Sequence, residues 1–280
     1  MTPDPSLHPV DPVDRAHLTG ASRPSPPIHR YLPSAGLRDL VQRYWIPVWS
    51  LPAPTTQSTL QHPVCLIVVS NTYARFYGVV RGLSSVTLEG TGWAVGVMFT
   101  PAAGSLLVGG SVDALVDTYA DLTALEPGDP LGVLDAGALV SEIHAAMAAD
   151  PSAQASHAGA VAALERRLAG IEVDEDGLLL NRVVDWIIEH PEITRVADVA
   201  DAFGLSERRL QRLVRSRVGM SPKWLLQRRR LHDAVLRLKE GTVALADVAS
   251  ELGYTDQAHF TTDFRTVTGM TPGEYLADQR

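Results

Sequence analysis

Between about positions 28 and 100, apolar residues come in short runs rich in β-branched and aromatic side chains, broken by Gly, Asn and Pro. The runs are Val64–Val69, Ala74–Val80, Ser85–Leu88 and Trp93–Phe99. Runs of that length with that punctuation predict a small antiparallel sheet or barrel. The period then changes. Residues 101–125 and 130–170 are rich in Ala, Leu and Val at helical spacing, and Leu139, Ile143 and Met147 fall four apart on one helix face. Residues 28–170 are therefore expected to form a β domain with a helical C-terminal part. Residues 1–27 hold seven of the chain's 19 prolines and little apolar periodicity, which predicts a flexible tail. The polar, Ala-rich stretch 150–158 and the acidic Glu172–Asp176 are the expected seams before an all-helical domain at 178–280. The fold class is α+β.

The strongest signal is an internal repeat. Val-Ala-Asp-Val-Ala-Asp-Ala-Phe-Gly at 196–204 returns as Leu-Ala-Asp-Val-Ala-Ser-Glu-Leu-Gly at 245–253, an offset of 49. After one inserted residue the match resumes, pairing Arg215 with Arg265 and Gly219-Met220-Ser221-Pro222 with Gly269-Met270-Thr271-Pro272. Each copy has the grammar of a helix-turn-helix: Thr194 or Thr242 caps a short helix that Gly204 or Gly253 ends, and Ser206 or Thr255 caps a second. Leu210 and Val214 anchor the second helix of the first copy, leaving Arg208, Gln211, Arg212 and Arg215 outside. In the second copy Phe260, Phe264 and Val267 anchor, and Ala258, Thr261, Thr262 and Arg265 face outward.

Arg and Gln on an exposed helix face suit the major groove of DNA, where Arg bonds guanine O6 and N7 and Gln bonds adenine N6 and N7. Packing of the helix pair on another protein is the competing reading. Pro222 opens an apolar-periodic stretch (Trp224, Leu225, Leu231, Val235, Leu238) that runs to about Lys239, before Gly241. Eighteen helical residues rise about 27 Å, and major-groove faces on one side of B-DNA recur every ~34 Å, so this connector sets two readers about one turn apart. The run Arg228–Arg230 on it lies either near phosphates or on a solvated face.

Residues 180–278 resemble the DNA-binding domain of the AraC/XylS family of bacterial transcription regulators. The resemblance is carried by the paired Ala-Asp-Val-Ala…Gly helices, by Gly219-Met220-Ser221-Pro222, and by Leu252-Gly253-Tyr254-Thr255-Asp256-Gln257-Ala258-His259-Phe260 with Gly269-Met270-Thr271-Pro272-Gly273-Glu274-Tyr275. It implies base-reading positions at Arg208, Gln211 and Arg212 in the first recognition helix and at Gln257, Ala258 and Thr262 in the second. Family members often carry a long polar or basic side chain where Ala258 and Thr262 stand, which implies weak readout by the second unit. Asp263 beside that face is expected to repel phosphate, leaving Arg265 to hold the backbone. Upstream, Gly96-Val97-Met98-Phe99-Thr100-Pro101-Ala102-Ala103 and Asp117-Thr118-Tyr119-Ala120-Asp121-Leu122 are similar to the cupin-like N-terminal domain of one branch of such regulators.

Charge qualifies the picture. The chain of 280 residues is net −8, yet residues 178–280 sum to +1 and residues 1–177 to −9. Nine basic side chains against one acid, Glu207, lie between 206 and 230, the footprint a nucleic-acid partner requires. A single cysteine, Cys65, excludes an intramolecular disulfide and a multi-cysteine zinc site. It sits in an apolar run, as a buried inert thiol would. This counts against the enzyme alternative, an alkylation-repair methyl acceptor carrying a domain of this type.

His62 and Glu89 without a His-x-His pair lead us to expect no metal, and no catalytic residue or cofactor is expected. His62 before Pro63 reads as a turn residue. Trp45, Trp49, Tyr73, Phe76, Tyr77, Trp93 and Phe99 are expected mostly in the core rather than around a pocket. The expected protein is a cytoplasmic, non-enzymatic regulator that binds double-stranded DNA. A small-molecule effector, a homodimer through the Ala-rich helices at 135–170, and RNA polymerase if it activates are the further expected partners. No apolar run is long enough to expect a membrane span.

Overall fold

The computed structural model describes Leu18 and residues 25–126, 129–241 and 244–279. Most of the expected tail at 1–27, and the expected cap at Thr242, lie outside the described residues.

Six strands form one antiparallel sheet in the order β1 (Ile28–Tyr31), β2 (Val41–Ser50), β7 (Thr91–Phe99), β4 (Leu66–Ser70), β5 (Ala74–Tyr77) and β8 (Tyr119–Asp121). A separate antiparallel pair joins β3 (Thr55–Thr59) to β6 (Ser84–Leu88). Period-two alternation assigns the two faces of the large sheet. Ile67 and Val69 of β4 join Tyr44, Ile46, Phe76, Val95, Val97 and Phe99 in the main core. Leu66 and Val68 join Val64, Ala94 and Met98 in a smaller apolar layer on the opposite face, where Trp45, Trp49, Tyr73 and Tyr77 pack.

The expected strands are all present. The expected helix over 101–125 is not: only α1 (Ala103–Leu107) and one 3-10 turn form there, and β8 follows. Gly109 and Asp117, both at positive φ, break the helical path. Residues 130–170 do form two helices, α2 (Ala136–Met147) and α3 (Gln154–Leu168), separated at Asp150-Pro151. Leu139, Ile143 and Met147 are each fully buried, and such side chains contribute about 1.5–3 kcal/mol apiece over exposure. His157 of α3 is buried under the edge of β1. Its Nε2 lies 2.7 Å from the Pro151 carbonyl and its Nδ1 2.6 Å from the Tyr31 hydroxyl.

The helical part runs through α4 (Glu175–Glu189), α5 (Val196–Ala202), α6 (Glu207–Val218), α7 (Pro222–Lys239), α8 (Leu245–Glu251), α9 (Gln257–Thr268) and α10 (Pro272–Asp278). Its helix ends follow the repeat. Ser206 and Ser221 accept from the main-chain N–H groups of Arg209 and Trp224, and Thr271 with Glu274 closes a reciprocal capping box. Gly219 and Gly269, at φ of +74° and +77°, end α6 and α9 in the left-handed conformation that favours glycine. Two of the expected caps are corrected. The position before α5 is Arg195, with no side-chain cap, so Thr194 does not cap. Asp256 rather than Thr255 caps α9, accepting from His259 N–H, because a carboxylate one residue nearer the helix reaches its first free amides.

The core is divided along α7. Leu225 and Leu226 belong to the same apolar cluster as the sheet, α4, α5 and α6. Leu231, Val235 and Leu238 belong to a second cluster with Val248, Phe260, Phe264 and Tyr275. One helix therefore seats both helix-turn-helix units, and the first shares its core with the N-terminal sheet.

Candidate nucleic-acid interface

In α6, Leu210, Leu213, Val214 and Val218 are buried. Arg208, Gln211, Arg212 and Arg215 occupy positions i, i+3, i+4 and i+7 and are all exposed. The helix thus presents three guanidinium groups and one amide on a single stripe. Arg209 and Arg217 turn aside to the N-terminus of α4. Arg209 pairs with Asp176 at 2.5 Å, and Arg217 pairs with Asp174 and donates to the Ser105 hydroxyl at 3.2 Å. These two arginines hold the helix in place, while Arg215, 3.9 Å from Asp113, stays largely open.

In α9, Phe260, Phe264 and Thr268 are buried, whereas Gln257, Ala258, Thr262 and Arg265 are exposed. The Thr262 hydroxyl donates to its own helix at Ala258 O, 2.9 Å away, so its proton is already committed. Every sequence-expected site residue is therefore on an exposed helix face. The two sets sit on helices that pack against opposite halves of α7, whose 18 residues span about 27 Å.

One charge expectation is overturned. Arg228 and Arg229 are neither solvated nor placed for phosphate, being 2% and 4% exposed. Arg228 donates to the carbonyls of Val80 and Arg81 at 2.9 and 2.6 Å and lies over the Trp224 ring, and burial lowers its pKa to about 10. Arg229 donates to the carbonyls of Pro191 and Ile193. Arg230 stacks on Tyr254 at 4.6 Å. The period of α7 turns this run inward because both ends of the helix are enclosed by packed elements. Asp263 is tied into the fold: it accepts from the Tyr254 hydroxyl at 2.8 Å and from the Gln227 amide, two neutral donors.

A cavity of about 410 Å³ lies between the large sheet and the β3–β6 pair. Trp45, Trp49, Tyr73 and Tyr77, four of the seven aromatics expected mostly in the core, line it, while Phe76, Phe99 and Trp93 are core. Alternation along the strands sends the first set to the cavity face and Phe76 and Phe99 to the other. His62, in the connection before β4 as expected, also lines the cavity and packs edge-to-face on His232 of α7 with ring centroids 4.5 Å apart. Arg75, which the sequence did not single out, projects into the same space. Its strand period was the available signal: it shares a face with Tyr73 and Tyr77. Cys65 is buried, and burial pushes its thiol up to about 12.

Residues 199–278 match the helix-turn-helix domain family, and residues 29–121 match a domain of unknown function, DUF6597. The transcriptional activator RhaS of Escherichia fergusonii is 32% identical over 111 residues, 39% of this chain and 40% of that protein. RhaS of Enterobacter sp. strain 638 is 33% identical over 113 residues, 40% and 41% of the two chains. A protein of Streptomyces lividans described as an AraC-like transcription regulator is 36% identical over 80 residues, 29% of this chain and 26% of its own. The chain thus spans well under half the length of these relatives. ToxT from Vibrio cholerae with bound unsaturated fatty acid aligns over 84% of this chain and 95% of its own, at 12% identity and a TM-score of 0.42. The C-terminal domain of AraT from Geobacillus stearothermophilus aligns over 38% and 87%, at 23% identity and a TM-score of 0.35.

Proposed function

Because its C-terminal domain belongs to the AraC family of helix-turn-helix regulators, we propose that this chain is a sequence-specific transcription regulator that binds promoter DNA. It does so with α6 and α9 in successive major grooves. The observation that carries this reading is the exposed stripe Arg208, Gln211, Arg212 and Arg215 on a helix whose other face is buried. Arg208, Gln211 and Arg212 meet base edges, and Arg215 at the C-terminal end of the stripe meets phosphate. Gln257, Ala258, Thr262 and Arg265 form the second contact, one α7 length away.

The N-terminal domain, at 28–170, modulates this activity by taking a small-molecule effector, by pairing two copies, or both. RNA polymerase is a partner if the outcome is activation. No helix among the described residues is long and apolar enough to cross a membrane. A methyl-acceptor function is disfavoured, because a buried thiol raised to about 12 holds almost no thiolate at neutral pH.

Binding to promoter fragments across a salt series tests the proposal. Neutralising phosphates releases counterions, so log affinity should fall linearly with log salt while one sequence remains preferred at every concentration. A flat salt response, or equal affinity for all fragments, overturns it.

A further inference from the structure

We propose that the cavity between the two sheets is a binding site for a flat aryl carboxylate that also carries a hydroxyl or amino group. This rests on the regulator reading only in naming such a compound as the effector.

The shape of the site comes from two close approaches. Trp45 lies against Gly96, its cross-strand partner, so closely that a Cβ on Gly96 would come within 2.0 Å of the indole. Trp49 lies against Gly92, its own partner, where a Cβ would come within 2.5 Å. Both indoles are thereby laid down along the sheet as an aromatic wall, and Leu66, Val68, Ala94 and Met98 continue it. The cavity is lined across the sheet, from Ile28 of β1 to Tyr119 of β8. A space of that breadth with mostly apolar walls and a few polar groups takes a flat, small organic molecule.

The polar groups define what that molecule must carry. The Arg75 guanidinium lies 4.0 Å from the Tyr119 ring centroid and 4.6 Å from that of Tyr73, and it donates to the Tyr77 hydroxyl at 3.4 Å. Its cross-strand partner Asp121 attracts it without closing an ion pair, and its Nε is shielded from solvent without a hydrogen-bond partner. A fixed cation edged by aromatic rings, with donors in its plane still free, calls for a planar anion. Gln61, which also lines the cavity, has a buried Oε1 with no donor. An unmet buried acceptor costs roughly 1–3 kcal/mol, so it calls for a hydroxyl or N–H on the ligand. A negative charge, a hydrogen-bond donor and an aromatic plane follow from these three features together.

The site also touches the DNA-binding part directly. His62 on its wall packs edge-to-face on His232 of α7, and the His232 ring Nε2 lies 2.8 Å from the Leu60 carbonyl. A ligand that shifts the β3–β4 connection therefore shifts the helix that carries both readers.

Isothermal titration calorimetry of the full chain, without DNA, tests the site using 4-hydroxycinnamate, its neutral amide, unsubstituted cinnamate and glucose. We expect one site per chain for 4-hydroxycinnamate, binding at least tenfold tighter than the amide or cinnamate, and no heat from glucose. Arg75→Gln should erase the preference for acid over amide, and Gln61→Leu the preference for hydroxyl over hydrogen, each in a chain that still unfolds cooperatively. Should Arg75→Gln not fold, the acid-to-amide ratio of the unaltered chain and the Gln61→Leu variant decide. Equal binding of acid and amide, no binding of either, or an unchanged ratio in a folded Arg75→Gln variant overturns the proposal. Acid binding by a chain that shows no preferred DNA sequence leaves this site standing and removes the regulator reading. Sequence-specific DNA binding without acid binding does the reverse.

Discussion

The Arg228 guanidinium, in the N-terminal half of the helix that joins the two DNA readers, donates at 2.9 Å to the carbonyl of Val80 in the loop after β5, 148 positions earlier in the chain. A further bond to Arg81 O and a longer one to Gly82 O close the grip. A charged side chain is thus used as a latch between the sheet domain and α7, with carbonyl dipoles rather than a carboxylate as its partners.

Arg228→Met should therefore act on stability and not on DNA electrostatics. Removing the cation leaves buried carbonyls without donors, at a cost of roughly 2–4 kcal/mol. Urea unfolding should show the loss, while the salt slope of DNA binding by the folded fraction stays as it was. A slope reduced by about one would mean that Arg228 neutralises a phosphate after all.

Arg212→Ala should do the opposite. Its side chain is exposed on α6 and contributes nothing to the core, so the unfolding midpoint should not move. Discrimination at one base pair should fall by about 1–3 kcal/mol, with little change at the other positions. Competition binding against single-base variants of a mapped site measures this, and a uniform loss over all sequences would reassign Arg212 to the backbone.

The two readers should contribute unequally. The first offers the long side chains of Arg208, Gln211 and Arg212, whereas in the second Ala258 has only a methyl group and the Thr262 proton is held by Ala258 O. Base-by-base substitution should give large penalties in the half-site facing α6 and small ones a helical turn away, where Gln257 remains the one long base-reading side chain. Equal penalties in both halves would contradict this placement.

Acid should loosen the sheet edge through His157. Desolvation by burial lowers its pKa below the ordinary 6.5, and its Nε2–H donates to Pro151 O while Nδ1 accepts from Tyr31, which is the neutral ring. A depressed folded-state pKa gives stability that is full above about 6.5 and lost as pH falls through the lower folded value. The stability gap between the unaltered chain and His157→Gln should be widest at pH 8 and narrow toward pH 5 in urea titrations. A gap that widens on acidification would show the charged ring to be the stabilised form.

Cys65 should be inert until the chain unfolds. Its side chain packs beneath Gly104, where an added Cβ would approach Sγ within 2.3 Å. Reaction with a thiol-specific disulfide reagent at pH 8 should follow the unfolding rate and become immediate in denaturant. Rapid labelling of the native chain would require a second, open arrangement of the sheet.

The repeat at an offset of 49 determined the helix-turn-helix pairs, their glycine ends, the 18-residue connector and the exposed stripe of α6. These features depend on local caps, on the 3.6-residue period and on apolar anchors a few positions away, all written in contiguous sequence. Strands β4 to β7 were legible for the same reason, whereas β2, which brings Val41, Tyr44 and Ile46 to the same core, was not among the expected runs. What the buried arginines do was not legible, because a basic run has the same pattern whether its neighbours are water or carbonyls of a distant strand. Only the docking of α7 on residues 80–82 decided that Arg228 is a latch. The cavity likewise needed tertiary structure. Alternation gave Trp45, Trp49, Tyr73, Arg75 and Tyr77 their faces, but the facing β3–β6 pair is what turned one side of the sheet into an enclosed wall. Which side of a two-faced sheet is filled and which is left open is settled by packing between elements far apart in the chain, and no local pattern encodes it.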